Sequence, residues 1–285
     1  MERAPKGIVW FLALAFGLAW FAWELPVLLG ASITPHNFQL YTLPGAFAPA
    51  IAAIVVRKWI TREGFADAGL TLDIGDWRYF VVAWLYPLAI VCALAAEAQL
   101  SSLASVDFSG QSALKAMGRE PPAGMRPYLG YIVVAQALVQ ALIATPILWG
   151  EEFGWRGYLQ LRLFPGKPLL AALATGIIWG AWHYPLIFRG FNYGDQPWLG
   201  ALIFPVTTVL QSIVLGWLRE RSGSIWVPCL GHASTNAVGG SLTVMWFYGA
   251  DPVWVGVQGI LGWLPLGAFC IWIAWSGRAR AADPR

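Results

Sequence analysis

Charge is scarce in this chain. Lys, Arg, Asp and Glu make up only 12% of its 285 residues, while 58% are hydrophobic and the mean hydropathy is +0.59. A water-soluble domain needs a more charged surface, so the solvent for much of the chain is lipid. The net charge of +3 is too small to point to nucleic acid. Cysteine is scarce as well. Cys92, Cys229 and Cys270 lie in apolar stretches at unrelated spacings, which excludes a disulfide framework or a CxxC metal site and marks all three as core or lipid-facing filler. There is no low-complexity tract, no second soluble domain and no internal repeat. Tryptophan, in contrast, is abundant: 18 residues, whose indole rings favour the membrane–water interface.

A membrane-spanning helix needs about 20 mostly apolar residues. Eight stretches qualify: Ile8–Leu29, Leu40–Val56, Tyr79–Leu100, Tyr128–Trp149, Pro168–Phe188, Trp198–Leu218, Ile225–Phe247 and Val253–Trp275. The first follows Arg3 and Lys6 like a signal peptide. It is too long for one, however, and runs through Trp20, Trp23 and Glu24 without a cleavage pattern, so it reads as a span. The expected fold is all-α: a polytopic membrane bundle of about eight helices, forming one domain over residues 1–285. Threading eight spans from a cytoplasmic N-terminus puts 14 of the 18 Lys and Arg residues in cytoplasmic segments; only Lys115, Arg119, Arg126 and Arg189 fall outside. This asymmetry predicts both termini in the cytoplasm and a multi-pass protein of the inner, cytoplasmic membrane.

Ionisable groups inside spans are costly and face the bundle interior. The run Trp149-Gly150-Glu151-Glu152-Phe153-Gly154-Trp155-Arg156 continues the fourth helix, with no proline before Pro165. Glu152 and Arg156 are four apart on one face and can pair. Glu151 sits 100° round the helix without that partner, which leaves one neutralised carboxylate beside one free to accept a proton. The same run also reads as a solvated charge cluster at a helix end. His183 stands one turn beyond Trp179, as a catalytic group or as hydrogen-bonded packing. His232 and Asn236 lie one turn apart among small residues, as a polar site or as tight helix packing. His36 falls in an outer loop and has no expected role. Taken together, two carboxylates, an arginine, two histidines and an asparagine on three helices supply a base, proton carriers and oxyanion donors. Those are the parts needed to add water to an amide carbonyl.

Glu-Glu-x-x-x-Arg at 151–156, aromatic-x-x-x-His at 179–183 and His-x-x-x-Asn at 232–236, in that order on separate helices, resemble the three motifs of the CAAX-protease and bacteriocin-processing (CPBP) family of intramembrane proteases. The resemblance covers residues 128–248; the first three spans carry no motif. Trp179 stands where the family's second motif usually has Phe. The resemblance implies hydrolysis, on the cytoplasmic side, of a membrane-anchored or hydrophobic peptide, prenylated or bacteriocin-like. Carried over by position, it implies that Glu151 activates water with help from His183. His232 and Asn236 would hold the oxyanion, and Glu152, Arg156 and Trp179 would support the site. Family members are described both as metalloproteases and as metal-independent glutamate proteases. Glu151, His183 and His232 are the donors available to Zn²⁺ with water in the fourth position. The His-Glu-x-x-His helix is absent, and the reading favours a site in which metal is not essential. A transporter binding cations or protons at Glu151, Glu24, Glu97, His183 and His232 is the competing class, and a non-catalytic membrane scaffold is the third. One geometric demand stands out. His183 lies about 22 Å along its span and His232 only about 10 Å along its own, so one helix must start deeper or tilt for the two to meet.

Overall fold

A computed structural model of the chain describes the backbone of residues 3–34 and 37–281, with side chains for 6–34 and 37–276. His36 lies outside the described residues. Among those residues every regular element is helical and no strand occurs. A bilayer offers no partners to backbone N–H and C=O groups, so a chain this apolar satisfies them within helices.

The principal helices are α1 (Arg3–Leu28), α2 (Phe38–Ile60), α3 (Trp77–Ser101), α4 (Ala123–Arg162), α5 (Pro168–Trp182), α6 (Pro197–Ser222), α7 (residues 226–246) and α8 (Trp263–Ala281). Five of them, α1, α2, α3, α4 and α6, are long and apolar enough to cross a membrane, while α5 and α8 are apolar but shorter. The fourth helix continues through the Glu151-Glu152 run, as expected, and on to Arg162. Two stretches depart from the sequence reading. The fifth ends at Trp182, and the chain resumes as one turn, Tyr184–Ile187. The eighth starts at Trp263, not Val253, because residues 251–262 form successive turns. The first of these is pinned by the Asp251 carboxylate, which accepts the Val253 N–H at 2.9 Å.

Small residues set the helix contacts that matter for function. A Cβ on Gly154 of α4 would overlap Pro49 of α2. On α5, one at Gly176 would meet the Val209 Cα of α6, and one at Gly180 would lie 2.9 Å from the Pro205 Cα. Backbones can approach this closely only where side chains are absent. Both contacts sit beside motif residues, so they hold α4 and α5 at fixed distances from their neighbours.

At one end of the bundle the loop 61–76 folds over the start of α7. Arg57 is fully buried and donates to the Gly64 carbonyl at 2.6 Å, the Asp67 carboxylate at 2.7 Å and the Gly157 carbonyl at 2.7 Å. Arg219 donates to the Asp67 carbonyl at 2.7 Å, the Ile225 N–H to the Gly69 carbonyl at 2.8 Å and the Trp226 indole to the Leu70 carbonyl at 2.9 Å. The seventh helix therefore begins beneath a loop, with Ile225 and Val227 fully buried. That recessed start brings His232, early in its helix, level with His183, late in its own.

Tryptophan composition misleads on location. Trp23, Trp155, Trp179 and Trp182 are among the largest fully buried side chains, and two of these indoles are spent on helix carbonyls, Trp23 on Thr42 and Trp182 on Ala15. The three cysteines are free, Cys92 exposed and the other two buried.

Candidate active site

The Glu151-Glu152 pair sits in the C-terminal half of α4, and both residues are buried. Directly after it the helix widens into a π turn, Trp155–Leu159; a second π turn, Thr235–Gly239, follows His232 on α7. Each π turn inserts one residue into the helical repeat, and such insertions concentrate at functional sites. The second turn is held from α3: the Tyr86 hydroxyl bonds Thr235 Oγ1 at 2.6 Å, and Thr235 Oγ1 donates to the Gly231 carbonyl at 2.9 Å. Asn236 is the open residue of this turn, while its neighbours from Thr235 to Gly239 are buried.

The expected i,i+4 pair is present: Arg156 Nη1 donates to Glu152 Oε1 at 2.9 Å, with neither side chain exposed. The same carboxylate oxygen receives Nδ1 of His232 at 2.9 Å, a contact that sequence spacing did not reveal. A carboxylate oxygen accepts, so His232 carries hydrogen on Nδ1 and turns Nε2 away from Glu152. The rest of the Arg156 guanidinium faces the Trp179 ring, 4.6 Å from its centroid. Desolvated cation–π contacts of this kind contribute ~2 kcal/mol.

Among the described residues Glu151 has no cation partner. The Trp179 indole donates to its Oε2 at 2.9 Å, which fixes the carboxylate, and no other described residue donates to it. Phenylalanine at 179 could not make this bond. His183 stands at the break after α5. Its Nδ1 lies 2.9 Å from the Trp179 carbonyl, and because a carbonyl only accepts, Nδ1 bears the hydrogen, which leaves Nε2 as the acceptor when the ring is neutral. The ring is packed edge-on against Trp182 at 4.8 Å and Phe204 at 5.0 Å, and face-on against Phe191 at 6.0 Å. Trp179 itself packs edge-on against both His183 (5.7 Å) and His232 (5.0 Å), so the two histidines meet across one indole at one depth.

Glu151, Trp179, His183, His232 and Asn236 all line one cavity of about 440 Å³. The sequence reading missed Gln211, Thr243 and Gln258, which line it too; these residues belong to no motif and nothing in their spacing marks them. From the buried glutamates the cavity extends past Phe191, Asn192, Pro252 and Gln258. That end of the bundle is opposite the loop 61–76. The remaining carboxylates of the transporter reading are elsewhere: Glu24 pairs with Arg189, and Glu97 lines a separate groove between α3 and α8. Glu151, His183 and His232 are donor types that Zn²⁺ accepts. Among the described residues, however, no three His, Cys, Asp or Glu side chains gather closely enough to hold a metal ion. The donor chemistry fits and the spacing does not, so the steps derived below use protein groups alone.

Comparison with known proteins agrees with the motif reading. Residues 131–238 match the family model of the type II CAAX prenyl endopeptidase Rce1-like proteins. The chain is 29% identical over 238 residues to CAAX prenyl protease 2 of Methanococcus maripaludis, an alignment covering 78% of this chain and 79% of that protein. The three motifs, the matched region and this relative all make the chain similar to the Rce1-like CAAX prenyl endopeptidases.

Proposed function

We propose that this chain is an intramembrane endopeptidase that hydrolyses a peptide bond in a membrane-anchored or hydrophobic substrate by glutamate-activated attack of water. The observation that carries the reading is that Glu151, His183, His232 and Asn236, from three helices, line one cavity. As water attacks the carbonyl carbon, Glu151 takes its proton, and His183 Nε2 accepts from the second hydrogen and holds the water in line. The carbonyl oxygen becomes an oxyanion facing Asn236 and His232. Since Nδ1 of His232 is committed to Glu152, donation to the oxyanion uses Nε2–H, and the ring acts as an imidazolium. In that state His232 and Arg156 balance Glu151 and Glu152, so the buried site is formally neutral. Collapse of the tetrahedral intermediate breaks the C–N bond, and the Glu151 carboxylic acid returns its proton to the leaving amine.

The relative's name carries prenyl, and a prenylated substrate is the natural first choice for this chain. The test uses purified protein in nanodiscs with a membrane-tethered, prenylated reporter peptide. Glu151→Gln keeps size and hydrogen bonding but removes the basic oxygen, so the protein should fold while hydrolysis falls by about 10²–10⁴. His232→Ala and Asn236→Ala should each cost about 10²–10³ through lost oxyanion stabilisation. A Glu151→Gln protein that cleaves at the wild-type rate would refute the assignment, and uptake of an ion without cleavage would favour a transporter.

A further inference from the structure

One buried polar group in the cavity has no place in the mechanism above. Gln211 lies on α6, is only 6% exposed and lines the cavity. No described residue forms a hydrogen bond with its side-chain amide. Its amide atoms are not among the fully enclosed ones, so they reach the cavity, on a helix otherwise apolar and long enough to cross a membrane.

The register of α6 fixes where this amide sits. Residues 204, 208, 211 and 215 fall on one helical face. Phe204 packs edge-on against His183 at 5.0 Å. Thr208 donates to the Gly176 carbonyl of α5 at 2.9 Å. Leu215 lies 3.0 Å from the position of a Cβ on Gly231, the residue before His232. Gln211 is thus about 10 Å along the axis from the residue that touches His183 and about 6 Å from the one that touches the His232 turn. It lines the same cavity as both histidines, from the α6 face that packs on His183.

We infer that Gln211 binds the main chain of the substrate next to the scissile bond. The chemistry is complementary. In an extended peptide the N–H and C=O of one residue point the same way, as they do towards a neighbouring antiparallel strand. A glutamine amide offers one acceptor and a pair of donors on a single plane, and so meets both groups at once. Such a contact reads backbone and ignores side chains. It selects an unfolded, extended segment, and it holds the scissile carbonyl between Glu151 and the oxyanion donors. Glutamine reaches that contact from a rigid helix, and substrate binding supplies the missing hydrogen bonds.

The inference rests on the proteolytic reading, and the experiment separates the two. Steady-state cleavage of the tethered peptide is measured for wild type, Gln211→Leu and Gln211→Asn, the last keeping the amide but withdrawing it by one methylene. The substrates are the parent peptide and a set N-methylated at each backbone nitrogen flanking the scissile bond. Losing two neutral hydrogen bonds should raise KM about ten- to thirtyfold with kcat little changed, in both variants. One N-methyl position should cost wild type about fivefold or more and cost Gln211→Leu nothing further. If wild type cleaves and either folded variant matches its KM, or if every N-methyl penalty is the same in wild type and variant, Gln211 does not bind the substrate main chain. If wild type fails to cleave any tethered peptide, the proteolytic reading falls, and this inference with it.

Discussion

Arg156 and Glu152 offer the clearest energetic test of the site. Both side chains have no exposed surface, and Glu152 Oε1 holds Arg156 and His232 together, each at 2.9 Å. Arg156→Ala strands a carboxylate with a single remaining donor. Glu152→Gln leaves the guanidinium without its paired carboxylate, against the Trp179 ring at 4.6 Å. Removing one partner of a buried pair costs about 3–5 kcal/mol, because the other charge stays desolvated. Against a total stability of roughly 5–15 kcal/mol, either change should cut the folded fraction under mild heating. The double variant Glu152→Gln/Arg156→Met leaves no stranded charge and should be more stable than the sum of its parts, a coupling that contacting residues show and distant ones do not. Thermal midpoints by fluorescence-detected size exclusion in one detergent measure this. The folded fraction of Glu152→Gln should also lose activity, since His232 loses its orienting acceptor. Single variants within about 0.5 kcal/mol of wild type, or strictly additive effects, would refute the reasoning.

Two further predictions concern the spacing of Glu151, His183 and His232 and the loop between α3 and α4. Activity of the purified protein should survive a strong chelator; full loss restored by Zn²⁺ would show that the donors converge on a metal when substrate binds. Asp107 accepts hydrogen bonds from Ser109 N–H and Oγ–H and from Ser112 N–H. Burial alone would raise its carboxyl, but these bonds outweigh it and hold the group at about 2. A depressed folded value contributes stability that is present above the ordinary carboxylate range, near ~4, and is lost as pH falls through the folded value. Protease nicking of the 102–122 loop should therefore rise between about pH 4 and pH 2, and Asp107→Asn should abolish that dependence. A loop equally resistant at both pH values would contradict the capping role.

Much of the site was legible because polar residues are so rare in this chain that each carries information. Glu152 and Arg156 pair as their spacing requires, and Glu151 lacks a cation as its angle around the helix implied. The bond from His232 to Glu152 was not legible, since 80 residues separate them and only tertiary packing joins them. Nor was the bond from the Trp179 indole to Glu151, because the motif reading took Trp179 only as an aromatic ring supporting the site and 28 residues separate the two. Helix ends were misjudged where apolar composition and helicity part company. Residues 253–262 are apolar enough for a span, yet Asp251, Gly256, Gly259 and Gly262 turn the chain there. The depth conflict between His183 and His232 had its answer in a loop, 61–76, that hydropathy treats as a featureless connector. Gln211 shows the remaining gap, since a lone glutamine in an apolar span has no pattern until the opposite wall is known.

Sidedness brings two expectations into opposition. Basic residues concentrate at the end of the bundle formed by the loop 61–76 and the residues around 162 and 219, which the charge asymmetry assigns to the cytoplasm. The resemblance, in contrast, implies a site that opens to the cytoplasm. The cavity runs from Glu151 towards Asn192, Pro252 and Gln258, at the far end from the loop 61–76, so both expectations cannot hold if substrate enters by that mouth. Insertion is governed by short basic loops rather than by the site, and we therefore predict that the basic end and both termini are cytoplasmic while the mouth faces outward. The test replaces the three native cysteines with alanine and introduces either Asn192→Cys at the mouth or Asp73→Cys in the loop 61–76. A membrane-impermeant thiol reagent applied to intact cells should label position 192 and spare position 73 until the membrane is opened. Labelling of 73 but not 192 would reverse the orientation, and would turn the cavity, with Glu151 at its base, to the cytoplasm as the resemblance implies.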